Sequence, residues 1–139
     1  MRSMRRGSLL ILLLVAIGCK TVGVSREAGG YARVRPSVAQ LMLIDNRQLV
    51  VFDFRDNHEY WGPDGHIAGA LSVPLSVIET RLPELVPYQN NTVLVYGETN
   101  EEGVSGATIL TAAGFRNVVL IDGGIRGWLD GGYRTVTSP

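Results

Sequence analysis

The sequence predicts an α/β domain built on a mostly parallel sheet with helices on both faces. The runs "LVVFDF" (Leu49 to Phe54), "TVLVY" (Thr92 to Tyr96) and "NVVLI" (Asn117 to Ile121) are continuously apolar and rich in β-branched and aromatic residues. Strands of this kind are buried on both faces, the condition found in parallel sheets. Segments of helical character separate them, as parallel strands require crossover connections. A chain of 139 residues is the size of one domain.

At the start of the chain, Arg2, Arg5 and Arg6 precede the apolar run "LLILLLVAI" (Leu9 to Ile17). This is the form of a secretory signal. As a helix, such a run rises only about 14 Å, against about 30 Å of bilayer hydrocarbon, so it is too short to span. It ends in "AIGC" (Ala16 to Cys19), and Cys19 is the only cysteine. The ending resembles the bacterial lipobox, which implies cleavage before Cys19 and acylation there, palmitate included. An ordinary export signal with an incidental cysteine and an uncleaved signal-anchor are the alternatives. Lys20, with no acidic residue beside it, leans towards a periplasm-facing outer-membrane location if the cell has an outer membrane. "KTVGVSREAGG" (Lys20 to Gly30) has no period and many small residues, and reads as a tether of about 17–20 Å reach. The chain thus divides into a signal peptide (1–18), a lipid-attachment cysteine with a flexible tether (19–30) and a folded domain (31–139).

Within that domain, "PSVAQLML" (Pro36 to Leu43) suits a helix with proline in its first turn. "ALSVP" (Ala70 to Pro74) reads as a short strand stopped by proline. "SVIE" (Ser76 to Glu79) has the pattern of a capping box, with Pro83 restarting the helix it opens. Ser105 to Ala113 reads as a small-residue helix ended by Gly114, and "GGIRGWL" (Gly123 to Leu129) turns into a last short helix.

The whole chain carries 13 basic and 13 acidic residues, but the first 18 residues hold three of the arginines and no acid. The remainder is therefore net −3, with no electrostatic footprint for nucleic acid.

Several short motifs follow one another in order: Asp53-x-Arg55, Glu59-Tyr60, Gly65-His66-Ile67-x-Gly69-Ala70, then Pro74 after a strand. "AAGFRNVVLIDGGIRGW" (Ala112 to Trp128) completes the series with Asp122, Gly123, Gly124 and Trp128. This series resembles the rhodanese-homology domain from about Val34 to about Tyr133. The resemblance implies a rhodanese-like fold, a five-stranded, mostly parallel sheet flanked by helices, and no bound cofactor. Read from their chemistry, Asp53 and Arg55 suit a structural ion pair at a strand end. Glu59 belongs to the same motif. His66 suits a hydrogen-bonding role, with a general base as the alternative. Trp128 and Tyr60 suit packing. His58 is the other histidine, and the acids show no EF-hand or zinc-ligand spacing, so no metal is expected.

The resemblance also implies an active loop directly after "TVLVY". Active rhodaneses place a cysteine there, wrap it in backbone N–H groups, and carry the transferred sulfur as a persulfide. An arginine near the following helix binds the anionic donor. In that register this chain reads Gly97, Glu98, Thr99, Asn100, Glu101, Glu102. Gly97 stands at the nucleophile position and Glu102 at the arginine position. Thr99-x-x-Glu102 has the capping-box pattern, and acids in a first helical turn are worth roughly 0.3–1 kcal/mol each. Thr99 has no activating base beside it in the sequence. The expectation is a non-catalytic module in the bacterial cell envelope, lipid-anchored to a membrane and acting on an unknown envelope protein. A divergent sulfurtransferase of the thiosulfate type is the alternative.

Overall fold

A computed structural model describes residues 24–138. The signal peptide, Cys19 and the start of the tether lie outside the described residues.

Six strands and five α-helices, among the described residues, position the site. Strand β1 (Val24–Arg26) pairs antiparallel with β2 (Ala32–Val34), and helix α1 (Pro36–Asp45) follows. Strand β3 (Val50–Asp53) leads into the four-residue helix α2 (Asn57–Tyr60). After β4 (Leu71–Ser72), a 3-10 turn and α3 (Ile78–Leu85) precede β5 (Thr92–Tyr96). Helix α4 (Asn100–Ala112), strand β6 (Asn117–Ile121) and helix α5 (Gly124–Asp130) complete the chain. The sheet order is β1-β2-β6-β5-β3-β4, and every pair except β1–β2 is parallel. Among the described residues, no helix is long and apolar enough to cross a membrane.

The two faces of the sheet carry separate cores. Phe52, Val93, Val95 and Leu120 pack against α3 and α4 residues such as Ile78, Leu85, Ala107 and Leu110. Val51, Leu94, Val119 and Ile121 pack on the other face against Ala39, Ile125 and Trp128. Alternate residues of one strand thus enter opposite cores, which is why these strands read as unbroken apolar runs.

The sheet has six strands, one more than expected. The extra strand lies in the segment read as a tether, so the folded domain starts by Val24 rather than at residue 31. Glycine and alanine there serve a tight turn: Glu27 N–H donates to the Tyr31 carbonyl and Gly30 N–H to Glu27. Gly30 has φ +83°, which a residue with a Cβ resists. Arg33 on β2 then donates to Glu27 at 3.1 Å, and Tyr31 is buried.

Two helix starts also differ from expectation. Ser76 caps nothing; residues 75–77 form a 3-10 turn and α3 starts from Val77 without a side-chain cap. Helix α4 begins at Asn100, a full turn and more before Ser105. The capping box that does form is Asp56 with Glu59, at the start of α2. Proline at the first turn of α1 and Gly114 just past α4, with φ +94°, stand where the sequence puts them.

Candidate functional site

Parallel strands deliver their carboxyl ends to one edge of the domain, and the loops that follow β3, β5 and β6 converge there. Arg55 follows β3, Gly97 and Glu98 follow β5, and Asp122 to Arg126 follow β6. A cleft of about 170 Å³ opens at this edge, lined by Arg55, His58, Glu59, Asp64, Glu98 and Arg126 among others.

Arg55 lines its floor, and Asp53 lies beneath it. Both are fully buried, and the guanidinium grips the carboxylate from two nitrogens, with Nη2–Oδ2 at 2.7 Å and Nε–Oδ1 at 3.1 Å. Nη2 also donates to the Gly65 carbonyl at 2.7 Å, and the guanidinium carbon lies 5.7 Å from the Tyr96 ring centre. Burial pulls the Arg55 pKa down, but the hydrogen bonds and charge of Asp53 outweigh it and hold the side chain more firmly protonated than usual. Burial, with Asp53 adding to it, pushes the Tyr96 phenol well above its ordinary range, and its oxygen accepts from Ile67 N–H. This floor fixes the loops around it.

His66 is buried away from the cleft mouth. Its Nδ1 donates to the Tyr60 carbonyl at 2.9 Å, its ring stacks 3.7 Å from that of Tyr60, and its backbone pairs with Val136. Glu59 turns back to accept from Asp56 N–H. Trp128 is buried and donates from Nε1 to the Arg134 carbonyl. Asp122 accepts from Arg33 and from the Asn100 amide, both at 3.2 Å.

The segment after β5 has little of the character of an open loop. Gly97, Glu98 and Thr99 are all that separate β5 from α4. Ile125 N–H donates to the Gly97 carbonyl at 2.9 Å, and Gly123 N–H donates to Asn100 Oδ1 at 2.7 Å. Gly124 has φ +60°, and a Cβ there would lie 2.5 Å from the Gly97 oxygen. The β6–α5 turn therefore presses directly on the segment.

Glu102 does not complete a capping box with Thr99, which makes no side-chain cap. Its Oε2 accepts instead from Glu98 N–H at 2.6 Å, one residue further back. A Cβ on Gly97 would meet Glu102 Oε2 at 2.7 Å, Cβ at 2.8 Å and Cγ at 2.9 Å. The Glu102 side chain thus fills the space into which a side chain at 97 would project. Burial raises its pKa, with the Glu98 hydrogen bond opposing and nearby acids adding to the rise.

Glu98 reaches the other way, into the cleft. Its Oε1 accepts from Arg126 Nε at 2.6 Å and its Oε2 lies 3.7 Å from Arg55 Nη1. Asp64 adds a second contact to Arg126, at 3.2 Å. Both guanidinium groups at the cleft are matched by carboxylates of the same chain. Glu101 points to solvent and Thr99 is exposed. Arg126 and Asp64 show no link in the sequence: they stand 62 positions apart, and only the fold brings the α2–β4 loop against the start of α5.

The parallel sheet, the two helical layers and the loop cradle at the strand ends define an α/β domain of the rhodanese type. Residues 36–131 match the rhodanese-like domain family, and the chain belongs to it. It is similar to a Synechococcus elongatus protein named "Putative thiosulfate sulfurtransferase", 29% identical over 147 residues, covering 90% of this chain and 45% of that one. YibN of Escherichia coli K12, itself uncharacterized, is 30% identical over 87 residues, 62% of this chain and 59% of YibN. The chain therefore spans about half the length of these curated relatives. Among solved structures, the rhodanese-like domain of the Anabaena protein Alr3790 superposes with a TM-score of 0.66 at 25% identity, covering 76% of this chain and 80% of that one.

Proposed function

We propose that this chain is a non-catalytic rhodanese-like binding module, exported to the bacterial cell envelope and held there by lipid on Cys19. One observation carries the first half of the reading. The position that follows β5 is Gly97, and the space beside it is filled by the Glu102 side chain, whose carboxylate accepts from Glu98 N–H at 2.6 Å. Sulfur transfer needs a thiolate in that space and free positive charge to draw in an anionic donor. Here an acid holds the space, and Arg55 and Arg126 are matched by Glu98, Asp53 and Asp64. The second half rests on the sequence "AIGC" ending a short apolar run.

A divergent sulfurtransferase is the second reading, favoured by the name of the Synechococcus relative. A thiosulfate–cyanide assay separates the two. The expected result is turnover no greater than a no-protein control; clear turnover would overturn the binding reading. For the anchor, Cys19→Ala should leave an unprocessed precursor with no lipid label. Labelled lipid on that variant would show that the anchor lies elsewhere. Photo-crosslinking from Glu101 in intact cells, followed by mass spectrometry, identifies the envelope partner.

A further inference from the structure

The antiparallel start of the sheet decides where the chain enters the domain. Val24 pairs with Val34, the last residue of β2, and Val34 pairs in turn with Ile121, the last residue of β6. The chain therefore enters at the carboxyl end of the sheet, the edge that carries Arg55, Gly97, Glu98, Asp122 and the cleft. Ser25, Val24 and Asp122 line one hollow there, and Asp122 accepts from Asn100 at the start of α4. Cys19 precedes Val24 by only five residues. Five residues span at most about 17 Å when fully extended.

We infer that the carboxyl-end face of the sheet is held against the bilayer surface, so that the cleft opens into the gap between domain and membrane. This rests on the reading of Cys19 as the lipid-bearing residue. A globular domain of about 100 residues is about 30 Å across, from its radius of gyration of about 13 Å. Such a body does not fit into a gap set by the tether. The gap leaves the cleft open to small molecules and to extended segments lying along the membrane. The face itself is not drawn to anionic lipid, since Asp64, Glu98, Glu101 and Asp122 outnumber the exposed arginines Arg35 and Arg126 beside them. The short tether, rather than lipid recognition, sets the orientation.

The test uses the full chain, purified from bacterial membranes and reconstituted in zwitterionic phosphatidylcholine vesicles that carry headgroup nitroxide lipid. Glu101→Cys places a bimane-reactive thiol on the exposed first turn of α4, at the carboxyl end. Asn90→Cys places one in the exposed turn before β5, at the opposite end. With Cys19 acylated, each variant takes up one dye. The expected result is loss of bimane fluorescence at 101 with no loss at 90, and recovery at 101 when a Gly/Ser insertion lengthens the chain between Lys20 and Val24. Equal loss at both positions, or loss at 90 alone, on vesicle-bound protein overturns the orientation while the anchor stands. Persistent loss at 101 after the insertion overturns the role given to the tether. Protein that fails to stay with the vesicles and takes up a second dye at Cys19 overturns the anchor, and the inference with it.

Discussion

Gly97→Cys asks whether the cradle lacks one sulfur atom or is closed to any side chain. The new Cβ would lie 2.8 Å from Glu102 Cβ, against the roughly 3.5–4.0 Å at which carbon atoms rest. A rotamer change moves the Glu102 carboxylate but leaves its Cβ in place, so α4 itself must shift. That helix is seated closely, because Gly103 packs on Leu120 and Gly106 on the Phe54 ring. Overpacking of this kind costs about 1–3 kcal/mol. The thiol would also suffer electrostatically. Glu102 Oε2 lies 2.7 Å from the Cβ position, which puts the sulfur on the order of 4 Å away. At an effective dielectric of 20, two unit charges at about 4 Å repel by about 4 kcal/mol, or about three pKa units. Helix N-terminal donors return about 1 kcal/mol, and solvent screening reduces the rest. A thiol that starts near 8.5 should then titrate at about 10. The assay is iodoacetamide labelling against pH, with the wild-type Cys19 signal subtracted, beside thermal melting. Adding Glu102→Ala should bring the inflection back towards 8.5 or below and restore part of the lost stability, a coupling of at least about 0.5 kcal/mol in the double-mutant cycle. An inflection below 8.5 in Gly97→Cys alone, with an unchanged melting temperature, would refute the reasoning: the carboxylate would not then occupy the space.

Opening the cradle further, Gly97→Cys with Glu102→Arg and Glu101→Gln should form more persulfide from thiosulfate than Gly97→Cys alone, measured by mass shift. Asp53→Asn leaves Arg55 buried with its main partner gone and should destabilise by about 3–5 kcal/mol, seen as a lower urea midpoint at unchanged slope. Gly124→Ala combines positive φ with a Cβ 2.5 Å from the Gly97 oxygen, and should cost about 2–4 kcal/mol in the same assay. Glu102 has a raised folded pKa, so its contribution is fully present below its unfolded value of 4.5 and is lost as pH rises through the folded value. Glu102→Gln should therefore be more stable than wild type at pH 7 and indistinguishable at pH 4; equal stability at both would count against the burial of that carboxylate.

The strands β5 and β6 were legible to the residue because burial on both faces leaves an apolar run after the first residue of each, bounded by polar and turn residues. The helical layers followed from the alternation. What misled was composition standing in for geometry. Ala28, Gly29 and Gly30 look like a flexible tether, yet the same residues are what a tight turn between two short strands requires. In α4, Asn100 to Gly103 look too polar to be helical, but this turn is held by Asn100 on Gly123 N–H and by Glu102 on Glu98 N–H. Those bonds link positions that no local pattern joins. The cleft had the same obstacle: Glu98 meets Arg126, and Asp64 meets Arg126, only after three crossovers have stacked the strand ends. Motif order located the loop, but not which side chain would lie inside it.

The three glutamates after β5 do three different things, and their separation explains how acids can crowd a place suited to anions. Glu101 faces solvent at a helix N-terminus, where negative charge is mildly favourable. Glu98 leaves the cradle and neutralises Arg126, with Arg55 nearby. Only Glu102 turns inward, and there it meets Glu98 N–H, a donor that would cost about 1–3 kcal/mol if buried without a partner. The absence of a side chain at Gly97 is what gives Glu102 its room. Residues 97 and 102 are therefore one structural choice: a side chain at 97 excludes the inward acid, and the inward acid excludes a side chain at 97. Making room for a sulfur at 97 thus requires both positions to change together, and a single cysteine should not suffice.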